Sequence, residues 1–494
     1  MDLGASSGRV VLGHVESGKL VTRTVTRFAN DPVALPDGLH WDVTSLYRNV
    51  VAALAAAERA APGDLISAGI DTWGVDYGIV RDARLRGIPH HYRDDRTARV
   101  IAPVHAAVSA EDLYRRNGLQ HLPFTTLYQL AAEAEDLGGA DRMLFVPDLL
   151  CFWLTGRQAT EETIASTSGL LDVTTRTWDE DLLRRLQLPV SLVSDLVQAG
   201  TTIGSVAGAP SSVIGRPLDI VAVGAHDTAS AIVAVPNVGR DFAYVSCGTW
   251  GLVGLELDAP VISADAREVG FSNEAGVDGR TTFHRNVMGL WLLSESLRYW
   301  EPDAGDAERS SLLHQLLQRA AEVPSGQPVF DVDDTVFLRP GDVPGRIVAW
   351  LEDRGLRPPS GRVETVRCIV ESIAAGFAEA LGAALDLVPT HRVDVVHVIG
   401  GGALNELLCQ SLADRTGLVV IAGPVEATAI GNIAVQARAA GLLEGGLTAL
   451  RSVVARSCST RLHRPRGASA GAVGRGRASA PGGSSTGYPQ EGRS

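Results

Sequence analysis

A chain of 494 residues with 45 % hydrophobic content exceeds what one core usually organises, so two domains are expected. The formal net charge of −13 argues against a general nucleic-acid surface. No run of about 18 apolar residues free of charge is visible, and no basic region precedes an apolar block at the N-terminus, so the expected location is cytoplasmic, without a membrane partner.

The chain opens on Asp2-Leu3-Gly4-Ala5-Ser6-Ser7-Gly8-Arg9, an acidic strand end running into a small-residue turn that brings backbone N–H groups close to an anion. Val10 to Val15 and Leu20 to Val25 are β-rich and flank Glu16-Ser17-Gly18-Lys19, which predicts a hairpin. That context decides among three motifs. Gly4 to Gly8 fits G-x-S-x-G with Ser6 as nucleophile, but a nucleophile elbow turns a strand into a helix, and here a strand follows. Gly13 to Lys19 approaches a Walker pattern, yet Leu20 stands where a Ser or Thr must bind Mg²⁺. A phosphate-binding turn between two strands survives. Lys19 is the only lysine, so no mechanism that needs a lysine elsewhere is available.

Next come a helix over Val43 to Ala60 and strands over Leu65 to Asp71 and Val75 to Val80, an α/β pattern. Helical stretches are expected at Thr97 to Ala107, Tyr128 to Asp136 and Asp179 to Leu186. The buried strand Leu218 to Val223 then delivers the chain to Gly224-Ala225-His226-Asp227. The second half begins again with strands, Asp241 to Val245 and Leu252 to Leu257, around the turn Ser246 to Gly251. This order echoes the N-terminus and makes an internal repeat of architecture plausible. Apolar residues at helical spacing from Val366 to Leu381 mark a long helix. Val395 to Ile399 is a buried strand ending in Gly400-Gly401-Gly402 before a helix over Ala403 to Ala413, a place where backbone approaches a ligand closely.

The five cysteines (Cys151, Cys247, Cys368, Cys409, Cys458) are odd in number and mostly set in apolar segments, which predicts buried thiols. His90 and His91 lack a zinc-ligand pattern. Residues 456–494 carry seven Arg and one Glu amid Gly, Ser, Ala and Pro, and are expected to be a disordered basic tail.

Two phosphate turns and a triple-glycine turn suggest a nucleotide held between related domains. Together with Gly69 to Asp76, Tyr92-Arg93-Asp94, Thr126 to Leu130, His226 to Ala231, Gly248-Thr249-Trp250, Asn286 to Leu293 and Ala422 to Thr428, they give the chain a resemblance to the FGGY carbohydrate kinases, relatives of actin and the heat-shock chaperones. The resemblance runs from Asp2 to about Ala455. It implies an α/β fold of two actin-like, ribonuclease H-like ATPase domains with a cleft between them, at 1–235 and 236–455. The implied activity is phosphoryl transfer from ATP, with Mg²⁺, to a small-molecule ketose. The 1-hydroxyl of L-rhamnulose is expected first, L-fuculose or D-xylulose as alternatives, and a non-catalytic actin-like ATPase as a remoter reading.

A neutral alcohol is a weak nucleophile whose proton must leave as the new bond forms, and the resemblance makes Asp227 the proton acceptor. Read alone, Asp227 is also a helix N-cap. By the same resemblance Asp2 reaches the metal, and Ala5, Ser6, Ser7, Gly8 and Arg9 wrap the ATP phosphates. Thr249 meets the terminal phosphates, Gly400, Gly401 and Gly402 lie against adenosine, and Gly74, His226, Thr228 and Asn286 hold the ketose. His226 also reads as a satisfied core histidine, and each glycine alone as an ordinary turn. Three departures stand out: Ser294 occupies the place of an ATP-contacting Gln, Thr125 replaces an Asn, and the tail after about Arg456 suggests a shifted frame or a divergent end. Only Met1 precedes Asp2, so the natural start is expected upstream. The oligomeric state stays open between monomer and homodimer.

Overall fold

The computed structural model describes residues 1–466 apart from 238 and 240. In the first half, β1 (Asp2–Leu3), β2 (Ser7–Glu16) and β3 (Lys19–Ala29) form the expected hairpin system, followed by helix α1 (Val43–Ala60). α1 begins where the Asp42 side chain accepts from the Ser45 N–H. It buries Leu46, Val50, Ala53, Leu54 and Ala57, the i, i+3, i+4 spacing that made it legible. The strand expected over Leu65 to Asp71 is two short pieces, β4 (Ser67–Ala68) and β5 (Asp71–Thr72), which pair in different sheets. The break falls at Gly69, where a side chain would collide with Val223 and Asn432.

Later come β6 (Tyr77–Arg81), β7 (Asp219–Val221) and α2 (Asp227–Val233). The helices expected near 97–107 and 128–136 are each divided into an α-helical and a 3₁₀ part, Asp95–Arg99 with Ile101–Ala107 and Thr126–Ala132 with Ala134–Leu137.

The second half is built on seven strands: β8 (Ala243–Cys247), β9 (Trp250–Leu257), β10 (Ser272–Ala275), β11 (Thr281–Met288), β12 (Val395–Ile399), β13 (Val419–Ala422) and β14 (Arg461–His463). Their order across the sheet is β10-β11-β9-β8-β12-β13-β14. In the first half, β1 pairs antiparallel with β2, β2 with β3, and β1 parallel with β5. In the second, β8 pairs antiparallel with β9, β9 with β11, and β8 parallel with β12. The same hairpin-plus-crossover plan occurs twice, with a polar turn at the same corner each time.

Helices α3 (Trp291–Trp300), α4 (Gly361–Leu387), α5 (Glu406–Thr416), α6 (Ala427–Ala439) and α7 (Leu447–Ser457) complete this half. α4 is long and apolar enough to cross a membrane by length and composition alone, although charges such as Arg367, Glu371 and Glu379 interrupt it, so it is not a charge-free apolar run. Val366, Ile369, Ile373 and Phe377 of α4 share the main core with Val253 and Phe283 of the sheet, which makes it a core helix. The helix expected from Ala403 starts at Glu406, after a 3₁₀ turn Gly401–Leu404, because the Asn405 side chain caps it.

The basic tail does not start at 456. α7 runs through Ser457, and β14 adds a seventh strand to the sheet by pairing with β13. Residues 467–494, the rest of the expected tail, lie outside the described residues.

Candidate active site

Three parallel segments end side by side. Asp2 of β1 is in register with Asp71 of β5, and Thr72 of β5 bridges in parallel to His226, with the Thr72 N–H donating to the Ala225 carbonyl at 2.9 Å. Ligands of α/β sheets bind at the carboxyl ends of parallel strands, and here those ends carry Asp2, Thr72 and Asp227. Asp227 opens α2, which the chain enters directly from the residue paired with β5.

The first polar turn is closed by the Gly4 N–H donating to the Ser7 carbonyl at 2.9 Å. Asn30 clasps it, its side chain donating to the Gly4 carbonyl at 2.9 Å and its N–H to the Ser6 carbonyl at 3.1 Å. Ser6 and Ser7 are exposed, whereas Gly8 is buried and has no room for a side chain beside the Phe28 ring. Arg9 lies opposite Asp2 and donates to its Oδ2 from Nε at 2.8 Å and Nη2 at 2.5 Å. Its remaining nitrogen, Nη1, lies 2.5 Å from Glu426 Oε2 at the start of α6, and Arg27 donates to the same carboxylate at 2.7 Å.

Gly248 and Thr249 at the second turn are exposed. Two glycines allow this turn its close neighbours: a Cβ on Gly289 would stand 2.7 Å from the Trp250 carbonyl carbon, and one on Gly402 would stand 2.5 Å from Cys247 Sγ. The Leu290 and Trp291 N–H groups donate to the Gly248 and Thr249 carbonyls at 3.0 and 3.2 Å, joining the turn to α3. The Ser294 hydroxyl on α3 donates to the Leu290 carbonyl at 3.2 Å, which leaves its lone pairs as acceptors. Gly400 continues the surface, its N–H donating to the Pro424 carbonyl at 3.2 Å, and Gly401 is exposed. Thr249, Ser294 and Gly400 to Gly402 therefore gather around one corner, and the 423–426 segment connects that corner to Arg9.

On the other side of Asp227, the loop Trp73 to Asp76 is held tightly. Val75 has φ +66°, a left-handed conformation costly for a β-branched residue. The Thr167 hydroxyl accepts from its N–H at 3.1 Å and the Thr126 hydroxyl donates to its carbonyl at 2.7 Å. Gly74 packs on Thr167 with no space to spare. Asp76 accepts from the Trp41 and Trp73 indoles at 2.6 and 2.9 Å, from Gln129 at 2.9 Å and from the Tyr92 N–H at 3.1 Å. Burial pushes this carboxyl up to about 6, against those four donors.

His226 Nδ1 lies 3.0 Å from Glu274 Oε2 of β10, and its Nε2 lies 3.5 Å from Asp227 Oδ1. Burial opposes a charged ring, but the Glu274 carboxylate, with Asp227 and Glu161 behind it, raises His226 to about 9. Burial likewise raises the Asp227 carboxyl, and the His226 charge pulls it back. Thr228 follows on α2, its hydroxyl donating to Asp227 Oδ1 at 3.2 Å. Asn286 is half-buried on β11, two residues beyond His284 and so on the same face. That face also carries Glu274, across the β10–β11 pairing.

The expected residues fall into two groups, one around Asp2, Arg9, His226 and Asp227 and one around Thr249 and the glycines. Sequence reasoning assigned no role to Asn30, Glu274, Gly289 or Glu426. Glu426 lay inside a recognised motif, but nothing in Ser272-Asn273-Glu274-Ala275 marks Glu274 ahead of the fold.

Residues 1–234 match the N-terminal domain of the FGGY family of carbohydrate kinases, and residues 243–440 match its C-terminal domain. Among solved structures, a xylulose kinase from Lactobacillus acidophilus superposes with a TM-score of 0.75 at 17 % identity, covering 94 % of this chain and 93 % of that one. A Plasmodium falciparum glycerol kinase solved with ADP gives 0.72 at 14 % identity, covering 94 % and 93 %. The chain belongs to the FGGY family of carbohydrate kinases, and its two repeated α/β halves are that family's actin-like pair of domains. Within the family it is similar to the rhamnulokinase of Bacteroides thetaiotaomicron, at 35 % identity over 94 % of this chain and 95 % of the relative. It is likewise similar to the rhamnulokinase of Pectobacterium carotovorum, at 38 % identity over 94 % and 92 %.

Proposed function

We propose that this cytoplasmic enzyme transfers the terminal phosphoryl group of ATP to the 1-hydroxyl of L-rhamnulose, with Asp227 as general base. The observation that carries the proposal is the position of Asp227, at the start of α2 beside the carboxyl ends of β1 and β5, in a chain similar to rhamnulokinases over nearly its whole length.

Asp227 accepts the hydroxyl proton as the new P–O bond forms, an assistance worth roughly 10²- to 10⁴-fold. Positioning and charge neutralisation supply the rest of the acceleration. Ala5, Ser6, Ser7 and Gly8 offer backbone N–H groups to the phosphates, and Arg9 offers its guanidinium. Thr249 faces them from the second domain, and Gly400 to Gly402 form the wall for adenosine. Gly74, His226, Thr228 and Asn286 line the ketose. Among the described residues no cluster of three His, Cys, Asp or Glu can cage a metal. Both Arg9 bonds go to Asp2 Oδ2, which leaves Oδ1 for Mg²⁺. One carboxylate oxygen suits a Mg²⁺ that arrives with the nucleotide and otherwise keeps phosphate oxygens and water. That ion would neutralise charge on the phosphates.

The test is an ADP-release assay across L-rhamnulose, L-fuculose and D-xylulose, run on the full chain and on Asp227→Asn. L-rhamnulose is expected to give the highest kcat/KM, and Asp227→Asn to lose nearly all turnover while still binding nucleotide. Preference for another ketose overturns the substrate, and near-normal turnover in Asp227→Asn overturns the base.

A further inference from the structure

Strand β10 is the edge of the second-domain sheet, yet each of its four residues bonds to the first domain. The Ser272 hydroxyl accepts from the Gln120 N–H at 3.0 Å. Asn273 donates to the Gly118 carbonyl from its backbone at 2.9 Å and from its side chain at 3.1 Å. The Ala275 N–H donates to the Ser166 hydroxyl at 2.9 Å, and Glu274 meets His226. Arg176 locks the far end of the hairpin by donating to the Gly279 carbonyl at 2.9 Å and to that of Arg280. The Glu274 carboxylate is thus delivered across the domain boundary by a strand that is fixed on both sides.

Both Glu274 oxygens face imidazoles, Oε2 that of His226 and Oε1 that of His284 at 3.6 Å. His284 is fully buried and is held in turn by the Tyr244 hydroxyl at 3.2 Å. Burial opposes ionisation of Glu274, but these two rings hold its carboxyl well below the usual range. A carboxylate at one nitrogen fixes the ring plane, and in the imidazolium that two flanking carboxylates favour both nitrogens carry N–H. Here the other nitrogen is Nε2, and it faces Asp227 Oδ1.

We propose that Glu274 is a positioning residue for phosphoryl transfer: it holds His226 so that the ring engages one oxygen of Asp227 and leaves the other free for the acceptor hydroxyl. This rests on Asp227 being the general base. The titratable groups facing His226 are Asp227 on its own helix, Glu274 and His284 on the β10–β11 hairpin, and Glu161, whose Oε2 accepts from the Ala225 N–H at 3.0 Å. Of these only Glu274 and Asp227 lie within ion-pairing distance of the ring, one on each nitrogen.

The experiment is a double-mutant cycle on the full chain, with Glu274→Gln, Asp227→Asn and the pair, measuring kcat, KM for ketose and ATP, and Tm. Glu274→Gln keeps the shape and removes the charge. It is expected to lower kcat about 10- to 100-fold, the scale of a misplaced reacting group, while KM for ATP stays within about twofold. Glu274→Asp, which keeps the charge on a shorter stem, should recover part of the loss. In kcat the double variant should be no slower than Asp227→Asn alone, because Glu274 acts on the chemical step through Asp227, whereas any effect on the ketose through His226 falls on its KM. Losses that multiply in the double variant overturn the proposal, as does a Glu274→Gln enzyme with wild-type kcat. Should Glu274→Gln fail to fold, the same cycle is read with Glu274→Asp. Near-normal turnover in Asp227→Asn alone is a different failure, that of the base assignment.

Discussion

Gly431→Ala perturbs α2, the helix that opens on the proposed base Asp227, from a distance and without touching a ligand. Gly431 lies in α6 where it crosses α2, and a Cβ placed there would stand 2.8 Å from the Ser230 carbonyl carbon, closer still to the carbonyl oxygen, and 3.2 Å from Val233 Cβ. Carbon atoms pack at about 3.5 Å or more, so the two backbones must part by roughly 1 Å, with no flexible side chain to give way. Ser230 is three residues after Asp227. Its N–H donates to the His226 carbonyl at 3.2 Å and its hydroxyl to the Gly224 carbonyl at 2.7 Å, so the displacement passes to the entry of α2. A shift of about 1 Å at a reacting group costs about 10²-fold in rate. The effect on stability is smaller. Overpacking costs about 1–3 kcal/mol, and replacing a helical glycine by alanine returns up to about 1 kcal/mol. ADP-release kinetics and calorimetry on Gly431→Ala are therefore expected to show kcat down about 10²-fold with Tm lowered by only a few degrees. Gly382→Ala is the control: that glycine is exposed on α4 with open space around it, and the change should leave kcat alone and raise Tm slightly. A Gly431→Ala enzyme that behaves like the control refutes the close crossing.

The His226 ion pair sets a pH window. Its folded value of about 9 lies above the ordinary 6.5, so its contribution is fully present below pH 6.5 and lost as pH rises through about 9. That amounts to about 3 kcal/mol, visible as a fall in Tm over this window that His226→Gln should flatten; parallel curves for the two proteins would contradict it. Asp76→Asn places an amide among four donors. Gln129 cannot turn to compensate, because its Oε1 accepts from Arg96 at 2.8 Å, and a loss of about 1–3 kcal/mol is expected in denaturant unfolding; unchanged stability would show that the indole bonds contribute nothing. Arg451 of α7 donates to both oxygens of the buried Glu256 at 2.6 and 2.7 Å and to the Ile232 carbonyl of α2 at 3.0 Å. Arg451→Met should cost about 3 kcal/mol, with partial recovery when Glu256→Gln is added; a double variant no more stable than the single would point to lost packing instead.

Local chemistry was legible where one segment settles its own form. α1 from its apolar spacing and β12 from its continuous apolar run have the bounds the sequence suggested. Legibility ended where a distant neighbour decides, as at Gly69, where Val223 and Asn432 divide one apolar run between two sheets. The site divides the same way. Asp227 stands at a visible strand-to-helix junction, but Glu274 owes its place to the fact that β10 docks on the opposite domain. Ser294 was placed by resemblance alone, and its short side chain turns back onto its own helix.

Arg9 is a counterion shared by Asp2 and Glu426, and Glu426 also holds Arg27, so one carboxylate ties the N-terminal hairpin to the start of α6. A polyphosphate that takes this guanidinium must displace Glu426, and the displaced carboxylate then stands beside the bound anion as a built-in competitor. If Arg9 holds the phosphates as proposed, exchange in the reverse direction would speed release of the spent nucleotide. On that account Glu426→Gln should hold ADP more tightly and release it more slowly in stopped-flow displacement; equal or faster release would show that Glu426 does not compete for Arg9.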